Sequence, residues 1–113
     1  MLFRSGREGR IVNVSSRAGL EPRSAAGMAA YAASKAALAA LTQAVSEEVA
    51  ARGVLVNAVV PSIMDTPANR AAMPKADFAA WPKTDDVAAV IAWLASPENR
   101  VVRGALVAVP GRS

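Results

Sequence analysis

Apolar positions along this chain fall into blocks of two kinds. Residues 10–16 (Arg-Ile-Val-Asn-Val-Ser-Ser) and 54–60 (Val-Leu-Val-Asn-Ala-Val-Val) are short, β-branched and nearly continuous, the pattern of strands buried on both faces of a parallel sheet. A third short apolar run, residues 105–109, follows Gly104. Between them the apolar residues return at helical spacing. Residues 28–52 carry Tyr31, Lys35 and Leu38 along one side, continued by Leu41, Val45 and Val49, with Gly53 where a helix-ending glycine belongs. A shorter stripe, Val87, Val90, Ile91 and Leu94, ends near Ser96-Pro97; Thr84 reads as its N-cap, with Asp85 and Asp86 in the dipole-favoured first turn. Strand, helix and strand at this spacing make a βαβ unit. The pattern predicts an α/β fold: a partial doubly wound parallel sheet of about three strands, with a long and a shorter helix as crossovers.

The connecting segments differ in composition. Residues 1–9 are basic and glycine-punctuated, a loop or the end of a helix. Residues 17–27 turn to Gly, Pro, Arg, Glu and Ser at the carboxyl end of the first strand, where loops carry function. Residues 63–82 hold three prolines and scattered apolar residues (Met64, Met73, Phe78, Trp81), and read as an irregular or partly helical excursion covering a site as a lid.

Composition narrows the chemistry. At 113 residues the chain is one domain at most, and its 53% hydrophobic content rests on alanine and valine, which suits close packing of helices on a sheet. With neither cysteine nor histidine there is no disulfide, thiolate or imidazole metal site and no Ser-His-Asp triad, so any catalysis runs on Ser, Tyr, Lys or carboxylates. The net charge of +4 comes without a basic run interleaved with aromatics, so no nucleic-acid partner is expected. No apolar segment approaches the ~20 residues of a membrane span. Residues 1–10 lack a signal-peptide core, and the expectation is a soluble, cytoplasmic chain with no membrane association.

Tyr31-Ala-Ala-Ser-Lys35 opens the long helix with a phenol and an ammonium on one face. An ammonium beside a phenol favours the phenolate, which makes a proton donor and acceptor of it; a chance pairing at this spacing is the alternative. Ser15-Ser16 and Pro61-Ser62-Ile63 end the two strands. In an open parallel sheet, ligands sit at the carboxyl ends of strands, so all three groups converge on one edge. Ser16 as a loop or cap serine, Thr66 as turn chemistry beside Pro67, and Asn13 and Asn57 as partners of neighbouring backbone remain the structural alternatives.

With these pieces in place, the sequence resembles the short-chain dehydrogenase/reductase family. The matching segments are Gly9-Arg-Ile-Val-Asn-Val-Ser-Ser16, Tyr31-Ala-Ala-Ser-Lys35-Ala-Ala-Leu38, Val56-Asn-Ala-Val-Val-Pro61 with Thr66, and Asp86-Val-Ala-Ala-Val90 through Gly104; residues 17–27 make the Ser16-to-Tyr31 spacing slightly longer than in many members. The resemblance implies a Rossmann-like, nicotinamide-dependent oxidoreductase moving hydride between NAD or NADP and a small alcohol or ketone. Ser16, in preference to Ser15, matches the serine that polarises the carbonyl, and Tyr31 the residue that exchanges its proton. Lys35 matches the lysine that tunes the tyrosine and hydrogen-bonds the nicotinamide ribose. Pro61, Ile63 and Thr66 match contacts to the nicotinamide end, Ile63 through its backbone, with Tyr31 and Lys35 also on the cofactor.

Nothing in the chain resembles the family's glycine-rich Thr-Gly-x-x-x-Gly-x-Gly turn or its Asn-Ala-Gly segment. Residues 1–113 therefore correspond to a single partial domain, the catalytic half of the family fold, with the outer edge of strand 11–16 left open. The expectation is a fragment or remnant, weak or inactive alone. The alternative is a catalytically silent module that self-associates through helix 28–52, the element by which the family commonly dimerises.

Overall fold

Both β-branched runs form strands, and they lie side by side. In the computed structural model, which describes residues 9–113, Gly9–Val14 (β1) runs parallel to Val54–Pro61 (β2), with Ile11 opposite Val56 and Val14 opposite Val59. Leu106–Val109 (β3) pairs parallel to the other side of β2, giving the order β1-β2-β3. β2 is buried along nearly its whole length, as its unbroken apolar run predicts, while β1 is half-buried and bounds the sheet among the described residues. The first strand stops two residues short of the predicted 16. Ser15 still donates its backbone N–H to Val59 O at 2.9 Å, and Ser16 then turns away as a helix cap. The reading of residues 1–8 lies outside the described residues.

Alternation along β1 sends residues to two different helices. Asn13 Nδ2 donates to Thr42 Oγ1 of helix α2 (Ala29–Val49), whereas Val12 packs with the cluster of Val59, Val87 and Leu94 that anchors helix α4 (Thr84–Leu94). The sheet is thus covered on both faces, the arrangement of an open α/β fold.

Helix α2 faces the sheet with short side chains. Its buried residues are Ala32, Ala39, Thr42 and Ser46, and the stripe of larger residues is rotated away from them: Leu41 is 55% exposed. The sequence pattern placed the long aliphatics along the site-bearing side, but close approach to a sheet requires small residues at the contact. Ser46 shows how close: a Cβ added at Gly104, where φ is +66°, would sit 3.4 Å from its Oγ. A short 3₁₀ turn, Ala50–Arg52, and Gly53 at φ +74° end the helix as expected.

The connection read as a loop is more regular than its composition indicates, and the excursion 63–82 is partly helical, one of the two forms expected of it. Residues 17–27 contain a one-turn helix α1 (Arg17–Leu20) and a 3₁₀ turn (Pro22–Ser24). The excursion 63–82 contains α3 (Pro67–Ala72) and a 3₁₀ turn (Phe78–Ala80). In α4, Thr84 is the first helical residue, and Lys83 occupies the cap position with no side-chain cap bond; Asp85 and Asp86 lie in the first turn as predicted. Lys83 is drawn into that position because residues 65 and 83 pair as an isolated parallel bridge and its ammonium reaches the Asp65 carboxylate. Asn57 acts as a backbone partner, donating to Val102 O and accepting from Ala105 N. No helix among the described residues is long and apolar enough to cross a membrane.

Candidate functional site

The carboxyl end of β1 divides its two serines between different tasks. Ser15 is buried and donates its hydroxyl to Lys35 O at 2.8 Å, tying the strand end to the first turns of α2. Ser16 takes an extended backbone (φ −158°, ψ 151°) and caps α1, its Oγ accepting from Ala18 N at 3.3 Å. A cap that accepts a hydrogen bond keeps its own hydroxyl hydrogen, so the Ser16 O–H stays available as a donor.

Helix α1 lies against α2 because it carries Gly19. A Cβ at this position would stand 2.6 Å from Lys35 C and from Ala36 N, and 2.9 Å from Lys35 Cβ. Only a residue without a side chain fits there. Sequence reasoning missed that Gly19 sets the position of Lys35; a glycine three residues past a cap, inside a predicted loop, gave no sign of that contact.

Tyr31 and Lys35 stand on one face of α2, as their spacing predicts. The Lys35 ammonium donates to Val14 O at 3.0 Å and lies 5.7 Å from the centre of the Tyr31 ring. An ammonium carries three donors, so hydrogens remain for a ligand. Tyr31 is 44% exposed, and its hydroxyl makes no hydrogen bond among the described residues.

Ser16, Tyr31, Lys35, Pro61 and Ile63 all line one cleft of about 560 Å³ at the carboxyl ends of β1 and β2. Val14, Ala18, Met28, Met64 and Asn69 complete much of its wall. Thr66 is not brought to this wall. It caps α3, its hydroxyl accepting from Asn69 N at 3.1 Å, and so orients the helix that delivers Asn69 to the cleft.

The segment that walls the cleft beyond β2 is organised around Asp65, whose side chain is 7% exposed. Arg70 grips both carboxylate oxygens, at 2.6 and 2.9 Å, and Lys83 adds a third bond at 2.8 Å. These hydrogen bonds, from Arg70 first and then Lys83, hold the Asp65 carboxyl well below the usual carboxylate range, and Asp65 in turn raises Arg70. The Arg70 guanidinium also lies 4.7 Å over the Phe78 ring, which packs on buried Trp81 at 5.0 Å. Nothing in the sequence marks Asp65, since its partners lie five and eighteen residues away in an irregular segment. Among the described residues no cluster of carboxylates is arranged to hold a metal ion.

An open parallel sheet with a cleft at its strand ends, bearing a tyrosine, a lysine and a serine hydroxyl, defines a class of ligand-binding α/β domain. The family model described as short chain dehydrogenase matches residues 1–77, and the chain belongs to that family. It is 39% identical, over 76% of its own length, to the cyclic-di-GMP-binding biofilm dispersal mediator protein of Escherichia coli, and 36% identical, over 93%, to the 3-oxoacyl-[acyl-carrier-protein] reductase of Thermotoga maritima. These alignments cover 39% and 45% of the relatives, so the chain spans less than half the length of the curated proteins it matches. Among solved structures, it superposes on a 3-oxoacyl-[acyl-carrier protein] reductase with bound NAD from Brucella melitensis with a TM-score of 0.76 and 32% identity, covering 95% of this chain and 41% of that one. A blue fluorescent protein from a metagenomic library, in complex with NADPH, superposes at 0.77 with 34% identity, covering 91% and 44%. Structures of this fold are therefore known with either nicotinamide cofactor.

Proposed function

We propose that this chain carries the reaction centre of an NAD(P)-dependent oxidoreductase that interconverts an alcohol and a ketone. The observation that carries the reading is the convergence of Ser16, Tyr31 and Lys35 with Pro61 and Ile63 on one cleft, in a chain of this family. The residues suit the nicotinamide end of such a cofactor. Pro61 and Ile63 form an apolar floor for a flat ring, and the uncommitted hydrogens of Lys35 suit the hydroxyls of a ribose. Thr66 acts on this end indirectly, through the cap it provides to α3. Neither Gly19, which is filled by the Lys35 backbone, nor Gly53, which closes a helix, forms a cradle for the pyrophosphate. When bound, the nicotinamide supplies or accepts the hydride.

The chain's own residues handle the oxygen. Tyr31 Oη delivers a proton to the carbonyl oxygen in reduction and removes it from the alcohol in oxidation. Ser16 donates its hydroxyl hydrogen to the same oxygen and stabilises the charge that develops there. Lys35 brings positive charge beside the phenol and is fixed for that role by Val14 O and Gly19. In a chain without histidine, two hydroxyls and one ammonium carry this proton traffic.

The test is a titration with NADH and NADPH followed by cofactor fluorescence, and then turnover of ketones by the wild type and Tyr31→Phe. Cofactor binding through the nicotinamide end, with at most weak turnover that is lost in Tyr31→Phe, is the expected result for this partial domain. Absence of binding at millimolar cofactor sinks the proposal. A second reading, a catalytically silent module that associates with a second copy through α2, is favoured by the outward face of that helix, where Leu41 is 55% exposed.

A further inference from the structure

Asn69, half-buried on the cleft wall, is held in one orientation. Its backbone N–H is tied to the Thr66 hydroxyl at 3.1 Å, and its Nδ2 donates to Met64 O at 2.8 Å. The next residue of α3, Arg70, is gripped by Asp65, so the turn of helix that carries the amide is anchored as well. A main-chain oxygen can only accept, so the contact with Met64 O decides which way the amide faces: its nitrogen meets Met64 O, and Oδ1 is turned away. Oδ1 accepts no hydrogen bond among the described residues, and it is not sealed from solvent. An amide oxygen is an acceptor at any pH and never a donor. Asn69 therefore adds to the cleft a fixed acceptor, distinct from the hydroxyls of Ser16 and Tyr31 and the ammonium of Lys35.

We propose that Asn69 is a specificity-determining residue, whose Oδ1 accepts a hydrogen bond from a hydroxyl that the substrate carries close to its carbonyl group, so that the cleft favours hydroxyketones over ketones with no second polar group. The inference takes from the oxidoreductase reading that Tyr31 and Ser16 hold the carbonyl oxygen. An acceptor already fixed by Met64 O and by α3 loses little freedom when it bonds a ligand. A substrate that brings a methyl group to the same place displaces water from Oδ1 and leaves the oxygen unpaired, which is the stronger source of discrimination.

The test uses the whole chain labelled with nitrogen-15, without cofactor, titrated with hydroxyacetone and with butanone, which has a methyl group where hydroxyacetone has its hydroxyl. Hydroxyacetone is expected to bind about fivefold more tightly. It should also shift the Asn69 side-chain amide signals, identified by their absence in Asn69→Ala, while those of Asn57, bonded to Val102 and Ala105, stay still. Asn69→Ala is expected to bring the two ketones to equal affinity. A role confined to holding α3 in place weakens both ketones alike and keeps their ratio, and that result overturns the proposal. So does a wild type that binds neither ketone, or binds butanone as tightly as hydroxyacetone, a comparison that decides the matter even where Asn69→Ala does not fold. A preference for hydroxyacetone without binding of NADH or NADPH removes the oxidoreductase reading and leaves this recognition standing; cofactor binding without the preference removes this inference alone.

Discussion

Lys35 is held from three directions at once. Its ammonium donates to Val14 O, its main-chain oxygen accepts from Ser15 Oγ, and its backbone is overlaid by Gly19. Gly19→Ala places a methyl carbon 2.6 Å from main-chain atoms that belong to a helix and cannot yield cheaply. Overpacking of this kind costs about 1–3 kcal/mol. The expected result is a lower urea midpoint at unchanged slope, with loss of whatever nicotinamide affinity the wild type shows. Ser15→Ala removes one hydrogen bond from a buried site and leaves Lys35 O without that partner, at a cost of about 1 kcal/mol in the same measurement. Ser16 differs from its neighbour because only its donor remains free, so Ser16→Ala is expected to reduce turnover more than stability.

Among the elements, residues 63–82 behave as a tied segment rather than a loose flap. Asp65 joins α3 to the start of α4 through Arg70 and Lys83, and Arg112 N donates to Ala80 O at 2.9 Å from the other side. Because the folded Asp65 carboxyl ionises below its unfolded value of about 3.9, its contribution to stability is fully present above that pH. That contribution is lost as pH falls below about 4 towards the folded value. Asp65→Asn is expected to lower stability at neutral pH and to flatten the acid limb of the stability profile, read from tryptophan fluorescence; an unchanged acid limb contradicts this account. For α2, the outward Leu41 makes a separate prediction. Leu41→Lys changes monomer stability by no more than about 0.5 kcal/mol. If the chain self-associates through this helix, the same variant shifts the sedimentation profile towards monomer.

At the scale of the molecule, stability is graded across the sheet. β2 is flanked by β1 and β3 and covered by α2 and α4, while β1 has a partner on one side only among the described residues. Amide exchange is therefore expected to be slowest in β2, with β1 opening sooner. Val59, fully buried at the centre of the α4 cluster, should be the most sensitive core position: Val59→Ala loses contacts on every side.

What the sequence determined by itself is the set of local facts. Continuous β-branched runs specify buried strands, alanine with helical periodicity specifies α2, and an i, i+4 spacing puts Tyr31 and Lys35 on one face whatever surrounds them. The motif segments also carried the family, because the residues that meet at the strand ends sit at fixed offsets within those same local elements. Tertiary structure decided the remainder. Which face of α2 meets the sheet depends on how closely two backbones can approach, so Ala32, Ala39, Thr42 and Ser46 went inward and Leu41 outward. The work of Gly19, the Asp65 clasp and the tie of Ser15 to Lys35 O all depend on partners that are distant in the chain or set by backbone placement. Periodicity reports the environment of a residue along its own element, whereas these contacts exist only once separate elements have packed.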